Sequence, residues 1–96
     1  MELNNQIQLE LYFADHFDTI LFSVLADIYL NQDDLKRARR VCEIGLRHHE
    51  QDVAGLFVLA LVEKAEVNLK ESDKVLEKVI LYDENHLAAL ELLCEI

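Results

Sequence analysis

Apolar residues recur along this chain at three- and four-residue spacing, broken by short polar links. Ile20, Leu21, Val24, Leu25, Ile28 and Tyr29 follow that spacing and predict a helix over residues 18–30. Asn31, Gln32, Asp33 and Asp34 form a polar turn, where an aspartate can cap the helix that follows. Leu35, Ala38, Val41, Cys42 and Leu46 line one face of a second helix over residues 35–48, and residues 49–52 are the next link. A third helix, over residues 53–67, is apolar nearly all round. After Asn68 comes a fourth, over residues 69–81, then a link at 82–85. A last helix begins near His86.

A longer period, of about 34 residues, is laid over the short one. Phe22, Leu25, Ala26, Leu35, Ala38, Cys42 and Leu46 are followed one period later by Leu56, Leu59, Ala60, Leu69, Ser72, Leu76 and Ile80. A third copy opens with Leu90, Leu93 and Cys94. Such a period implies stacked supersecondary units sharing one core. It divides the chain into units at 18–51 and 52–85 and, at 86–96, the first helix of a truncated third unit or a C-terminal cap. Small residues fall where the two helices of a unit approach: Ala26, Ala60 and Cys94 from the first helix, Ala38 and Ser72 from the second. Residues 1–17 fit less well. Ile7, Leu11 and Tyr12 match a second helix in this register, but Asn4 and Gln8 stand at its core positions. The segment reads as a degenerate half-unit capping the stack.

Composition narrows the class. The chain has 96 residues, no proline and two glycines, which favours helix over hairpins, and its apolar content is enough for one small core. The net charge of −10 argues against nucleic acid and anionic membrane as partners. No apolar run reaches the ~18–20 residues of a membrane span, and the N-terminus does not read as a signal peptide. Cys42 and Cys94 fall at small core positions of different units and read as buried thiols, which fits a cytoplasmic, reducing setting.

The residues at the longer spacing resemble the tetratricopeptide repeat, W-x2-L-G-x2-Y…A-x3-F…P. In residues 18–51, Phe22 stands at the Trp position, Leu25 at Leu, Ala26 at Gly, Tyr29 at Tyr, Ala38 at Ala and Cys42 at Phe. Residues 52–85 match through Leu56, Leu59, Ala60, Ser72 and Leu76, with Glu63 in place of the Tyr. Glu50 and Glu84 replace the final proline. The resemblance implies an all-α, right-handed helical-hairpin solenoid of about two and a half to three units. It also implies a scaffold for protein–protein interaction, with the first helix of each unit lining an inner groove.

Carried onto this chain, the groove takes in Val24 and Asp27 from the first unit, Phe57, Val58 and Leu61 from the second, and Glu91, Leu92 and Glu95 from the third. The Lys, Asn and Arg residues with which some family members clamp a C-terminal carboxylate are absent. Ser23, Asp27, Val58, Ala88 and Leu92 stand there instead. The expected site is an apolar floor with an acidic rim, suited to a basic amphipathic helix of a protein or peptide partner. The alternative is that Phe57, Val58 and Leu61 are enclosed by neighbouring helices, since a helix apolar all round must be buried all round. A second function is assembly, as a homo-oligomer through the C-terminal helix or as part of a longer array.

Other chemistry is thinly represented. His48, His49, Glu50 and Asp52 sit in a link without further donors nearby and read as a solvated loop rather than a metal site. His16 and His86 also lie near links and read as exposed. Lys36, Arg37, Arg39, Arg40 and Arg47 crowd one helix, which suggests RNA. No aromatic interleaves them, and acids lie at pairing distance, so they read as a solvated face, as do Glu63, Glu66, Glu71, Asp73 and Glu77. No phosphate loop, nucleophile motif or acid–base pair is present, so the expected protein is not an enzyme and needs no cofactor.

Overall fold

The computed structural model describes the backbone of residues 2–94 and the side chains of residues 6–93. It contains six α-helices and, among the described residues, no strand: α1 (Glu2–Asp15), α2 (Phe22–Asn31), α3 (Leu35–His48), α4 (Val53–Ala65), α5 (Leu69–Tyr82) and α6 (Leu87–Cys94). The short polar links fold consecutive helices back on one another. α2 packs on α3 and α4 on α5, while α4 also meets α2 and α3. The molecule measures 38 × 24 × 21 Å, the elongated outline of helices stacked side by side.

The turns after α2 and α4 share one geometry. Asp33 and Val67 adopt the left-handed conformation, with φ of 61° and 63°. In each turn the next backbone N–H reaches back along the helix, from Asp34 to Tyr29 O at 2.9 Å and from Asn68 to Glu63 O at 2.8 Å. This is a Schellman closure, which satisfies carbonyls left free at a helix end. Asp34 then caps α3 by accepting from the Arg37 N–H at 3.2 Å, and Asp52 caps α4 through the Gly55 N–H at 3.3 Å. The first helix of residues 18–51 begins at Phe22, later than the periodicity suggests. Residues 18–21 form a turn in which the Thr19 hydroxyl accepts from the Leu21 N–H at 3.2 Å.

The core holds the small residues at the helix crossings. Ala26, Ala38 and Ala60 are fully buried, and buried Ser72 donates its hydroxyl hydrogen to Ala60 O at 3.0 Å. One cluster joins Phe13, Phe22, Leu25, Tyr29, Val41, Cys42, Val58 and Val62. A second joins Leu56, Val75, Leu76, Val79 and Ala89, with Leu46 and Leu59 packed against both. The Cys94 side chain lies outside the described residues.

α1 departs from the expected register. Ile7, Leu11 and Tyr12 are exposed, whereas Phe13 is buried and Leu9 packs on the core. The hydrogen bonds closing α1, His16 N–H to Tyr12 O and Thr19 N–H to His16 O, match those closing α3, His49 N–H to Gly45 O and Asp52 N–H to His49 O. The offset between the two sets falls one residue short of the longer spacing expected from the sequence. A one-residue slip turns a helix by about 100°. It moves polar Gln8 off the core-facing position and brings in Leu9 and Phe13; the Asn4 side chain lies outside the described residues.

Candidate partner-binding site

Phe22 anchors the start of α2. Its ring is fully buried, and a Cβ placed on either Gly45 of α3 or Gly55 of α4 would fall inside that ring. Close approach of helix backbone to an aromatic face is what requires glycine at both positions. His49 stacks parallel to Phe22, with centroids 6.3 Å apart, and its Nε2 lies 2.5 Å from Asp18 O. His49 is therefore a half-buried fastener between links, not a solvated loop residue. Asp52 beside it is the cap of α4. Among the described residues, no group of three or more His, Cys, Asp or Glu converges as metal donors.

With α2 and α4 held together in this way, Ser23, Val24 and Asp27 of α2 meet Ala54, Phe57 and Val58 of α4 across a concavity of about 370 Å³. His86 closes it. Its Nδ1 accepts from the Ala89 N–H at 3.1 Å, capping α6, and its ring lies 4.8 Å from Phe57. His86 is thus partly covered rather than exposed, and the periodicity did not mark it as a site residue. Its signal in the sequence is its place one repeat period after Asp52, the cap of α4. The concavity is apolar along Val24, Ala54 and Phe57, with the Asp27 carboxylate exposed at its side.

Four of the expected groove residues therefore come together: Val24, Asp27, Phe57 and Val58. Val58 is also buried in the first core cluster, so it closes the bottom of the concavity from within. Leu61 and Leu92 are half-buried and Glu91 is exposed; none of the three lines this concavity. Glu95 lies outside the described residues. Enclosure accounts for much of α4. Val58, Val62 and even Glu63 are buried because α2, α3 and α5 surround the helix.

Arg39 and Glu63 do not lie on a solvated face. The Arg39 guanidinium grips Glu63 with two nitrogens, at 2.6 and 3.2 Å, and its Nε donates to Glu66 at 3.1 Å. The Asn68 amide donates at 3.0 Å to Glu63 Oε1, the oxygen that Arg39 contacts at 2.6 Å. The bond from Arg39 holds the Glu63 carboxyl below its ordinary value of 4.5, against the opposing pull of burial. The concavity beside Lys36, Arg40 and Arg47 also includes Glu43 and Glu66, so the basic helix presents mixed charge. Burial pushes the Cys42 thiol up to about 12, which keeps it protonated at neutral pH.

No helix among the described residues is long and apolar enough to cross a membrane. Comparison with protein-family models, curated proteins and solved structures finds no match for this chain.

Proposed function

We propose that this chain is a non-catalytic protein-interaction module of the tetratricopeptide kind, which receives a helical segment of its partner between α2 and α4. The observation that carries the reading is the shared concavity of Val24, Ala54, Phe57 and Asp27. Its apolar lining suits the buried face of an amphipathic helix, and Asp27 favours Lys or Arg beside that face. The matching turns at Asp33 and Val67 support the hairpin-unit reading.

Peptide display against the purified chain tests it. The expected hits are basic amphipathic helices. Ala54→Glu introduces a carboxylate at an exposed position of the concavity and is expected to cost about 1–2 kcal/mol of binding with helix content unchanged. Asp27→Lys should weaken the same hits and make them less salt-sensitive. Phe57 is a poorer probe, because it also packs on the second core cluster. Selection of acidic peptides with an essential free carboxylate would sink the reading.

A second reading, assembly, rests on Leu81 and Leu87, which flank the α5–α6 link and are 75% and 71% exposed. Apolar side chains of that size left bare mark contact surfaces when they adjoin. Light scattering over a concentration series tests it. A mass that rises with concentration for the native chain, and not for Leu81→Lys/Leu87→Lys, supports it; a monomer throughout rules it out.

A further inference from the structure

The register slip of α1 leaves a second apolar surface, larger than the concavity at α4. Gln8, Leu9 and Tyr12 of α1 face Leu21, Val24 and Ile28 across a trough of about 590 Å³. Tyr12, Leu21 and Val24 are each more than two-fifths exposed, and Ile7 and Leu11 on the same helix are more exposed still. Leu9 packs against the core and fixes the floor. A contiguous apolar trough on a chain this small is a surface fit for a partner.

Charge selects the occupant. Residues 6–35, which carry the whole trough, include six carboxylates, Glu10, Asp15, Asp18, Asp27, Asp33 and Asp34, and no lysine or arginine. All nine basic residues lie between 36 and 78, where eight acids balance them. The excess of negative charge is therefore carried by the segment that forms the trough and by residues 79–96. Unscreened over a Debye length of about 8–10 Å, it repels an acidic segment and attracts a cationic one. The same charge disfavours a second copy seated through its own acidic end.

We infer that the trough between α1 and α2 is a docking site for a basic amphipathic helix of another protein, with its apolar face on Tyr12, Leu21 and Ile28 and its Lys or Arg side chains toward the surrounding carboxylates. This site is separate from the α2–α4 concavity, although Val24 borders both, and it stands even if that concavity binds nothing.

The test uses a labelled synthetic 18-residue Leu/Lys amphipathic helix and its Leu/Glu counterpart, titrated with the full chain by fluorescence anisotropy. The Leu/Lys helix is expected to bind, with affinity falling at least tenfold in Tyr12→Ser/Leu21→Ser, which removes apolar surface without changing charge. Affinity should also fall as salt rises, and the Leu/Glu helix should bind at least tenfold more weakly. Circular dichroism confirms that the variant keeps its helices. An Ala54→Glu control separates the two surfaces. Loss of binding in that variant alone places the helix at α4 and overturns this inference while leaving the earlier reading intact. Loss in the Tyr12/Leu21 variant, alone or together with the α4 variant, supports the trough. Equal binding of both helices, binding of neither, or concentration-dependent self-association that Leu21→Ser abolishes would each overturn it.

Discussion

At the junction of α2, α3 and α4, a phenylalanine, Phe22, packs between two glycines, Gly45 and Gly55. At the positions that the sequence spacing of about 34 residues pairs with these stand Leu56, Val79 and Ala89, all buried in one cluster of α4, α5 and α6. One junction puts its volume in the central residue and leaves bare backbone around it. The other shrinks the centre and restores side chains to the flanks. Close-packed interiors tolerate such compensated exchanges because what must be conserved is filled space, not any one residue. The two junctions differ again one helix turn from the crossing. Tyr29 reaches back to α1 with its hydroxyl donating to Glu10 at 2.5 Å, while Glu63, in the same slot one period on, reaches back to α3 and accepts from Arg39. Both ties fasten a helix to its predecessor, one through a phenol and the other through an ion pair.

The largest effect should come from mixing the two packing solutions. Gly45→Val would force side-chain atoms into the Phe22 ring and is expected to destabilise by more than about 3 kcal/mol, the upper part of the overpacking range. The compensated set Phe22→Leu, Gly45→Val, Gly55→Ala copies the second junction and should recover most of that loss in denaturant unfolding. If the triple variant is no more stable than Gly45→Val alone, the two junctions are not equivalent.

Breaking the ion-pair tie should cost slightly less. The Glu63 side chain is only 11% exposed, so Arg39→Met strands a buried carboxylate and should cost about 3 kcal/mol. Adding Glu63→Leu removes the stranded charge and should return the midpoint close to that of the native chain. Because the Glu63 pKa is lowered on folding, the pair's contribution is present above the ordinary value of 4.5 and is lost as pH falls below it. The Arg39→Met/Glu63→Leu double variant should therefore show a flatter acid limb in a stability–pH curve than the native chain.

The phenol tie titrates at the other extreme. Burial, and then the bond to Glu10, push the Tyr29 hydroxyl from 10.0 to about 12. The folded chain holds that proton longer than the unfolded chain, so the contribution is complete below about pH 10 and disappears as pH rises toward 12. Cys42 adds to the same alkaline loss from about pH 9. Tyr29→Phe should cost about 1 kcal/mol at pH 7 and reduce the alkaline slope, leaving the share due to Cys42.

The smallest effect lies in the turns. Asp33 tolerates the left-handed conformation, whereas Val67, 74% exposed, holds it with a β-branched side chain. Val67→Asn should stabilise by about 0.5–1 kcal/mol, and Asp33→Asn should change little. An equal response at both turns would mean that the strain at Val67 is negligible.

Much of this architecture is written in the residues themselves. Helical spacing in α2 to α5, the polar turns, the cap at Asp34, and the small residues Ala26, Ala38, Ala60 and Ser72 at the crossings are local signals, and each was legible because one helix face or one turn suffices to impose it; the cap at Asp52 was not read from the sequence. Of the residues that the family resemblance carried to a groove, Val24, Asp27, Phe57 and Val58 line one concavity, and Val58 belongs to the core as well. What spacing alone did not reveal depends on neighbours. The α1 register turned on which of two apolar faces, Ile7–Leu11 or Leu9–Phe13, leaves polar side chains outside, and that is settled only against α2. Gly45 and Gly55 acquire their meaning from a phenylalanine in another helix, and His86 from the ring of Phe57. The ionic surface of α3 and α4 looked solvated along each helix taken singly. Packing brought Arg39 over Glu63, because burying one charge is tolerable only where the fold delivers the other.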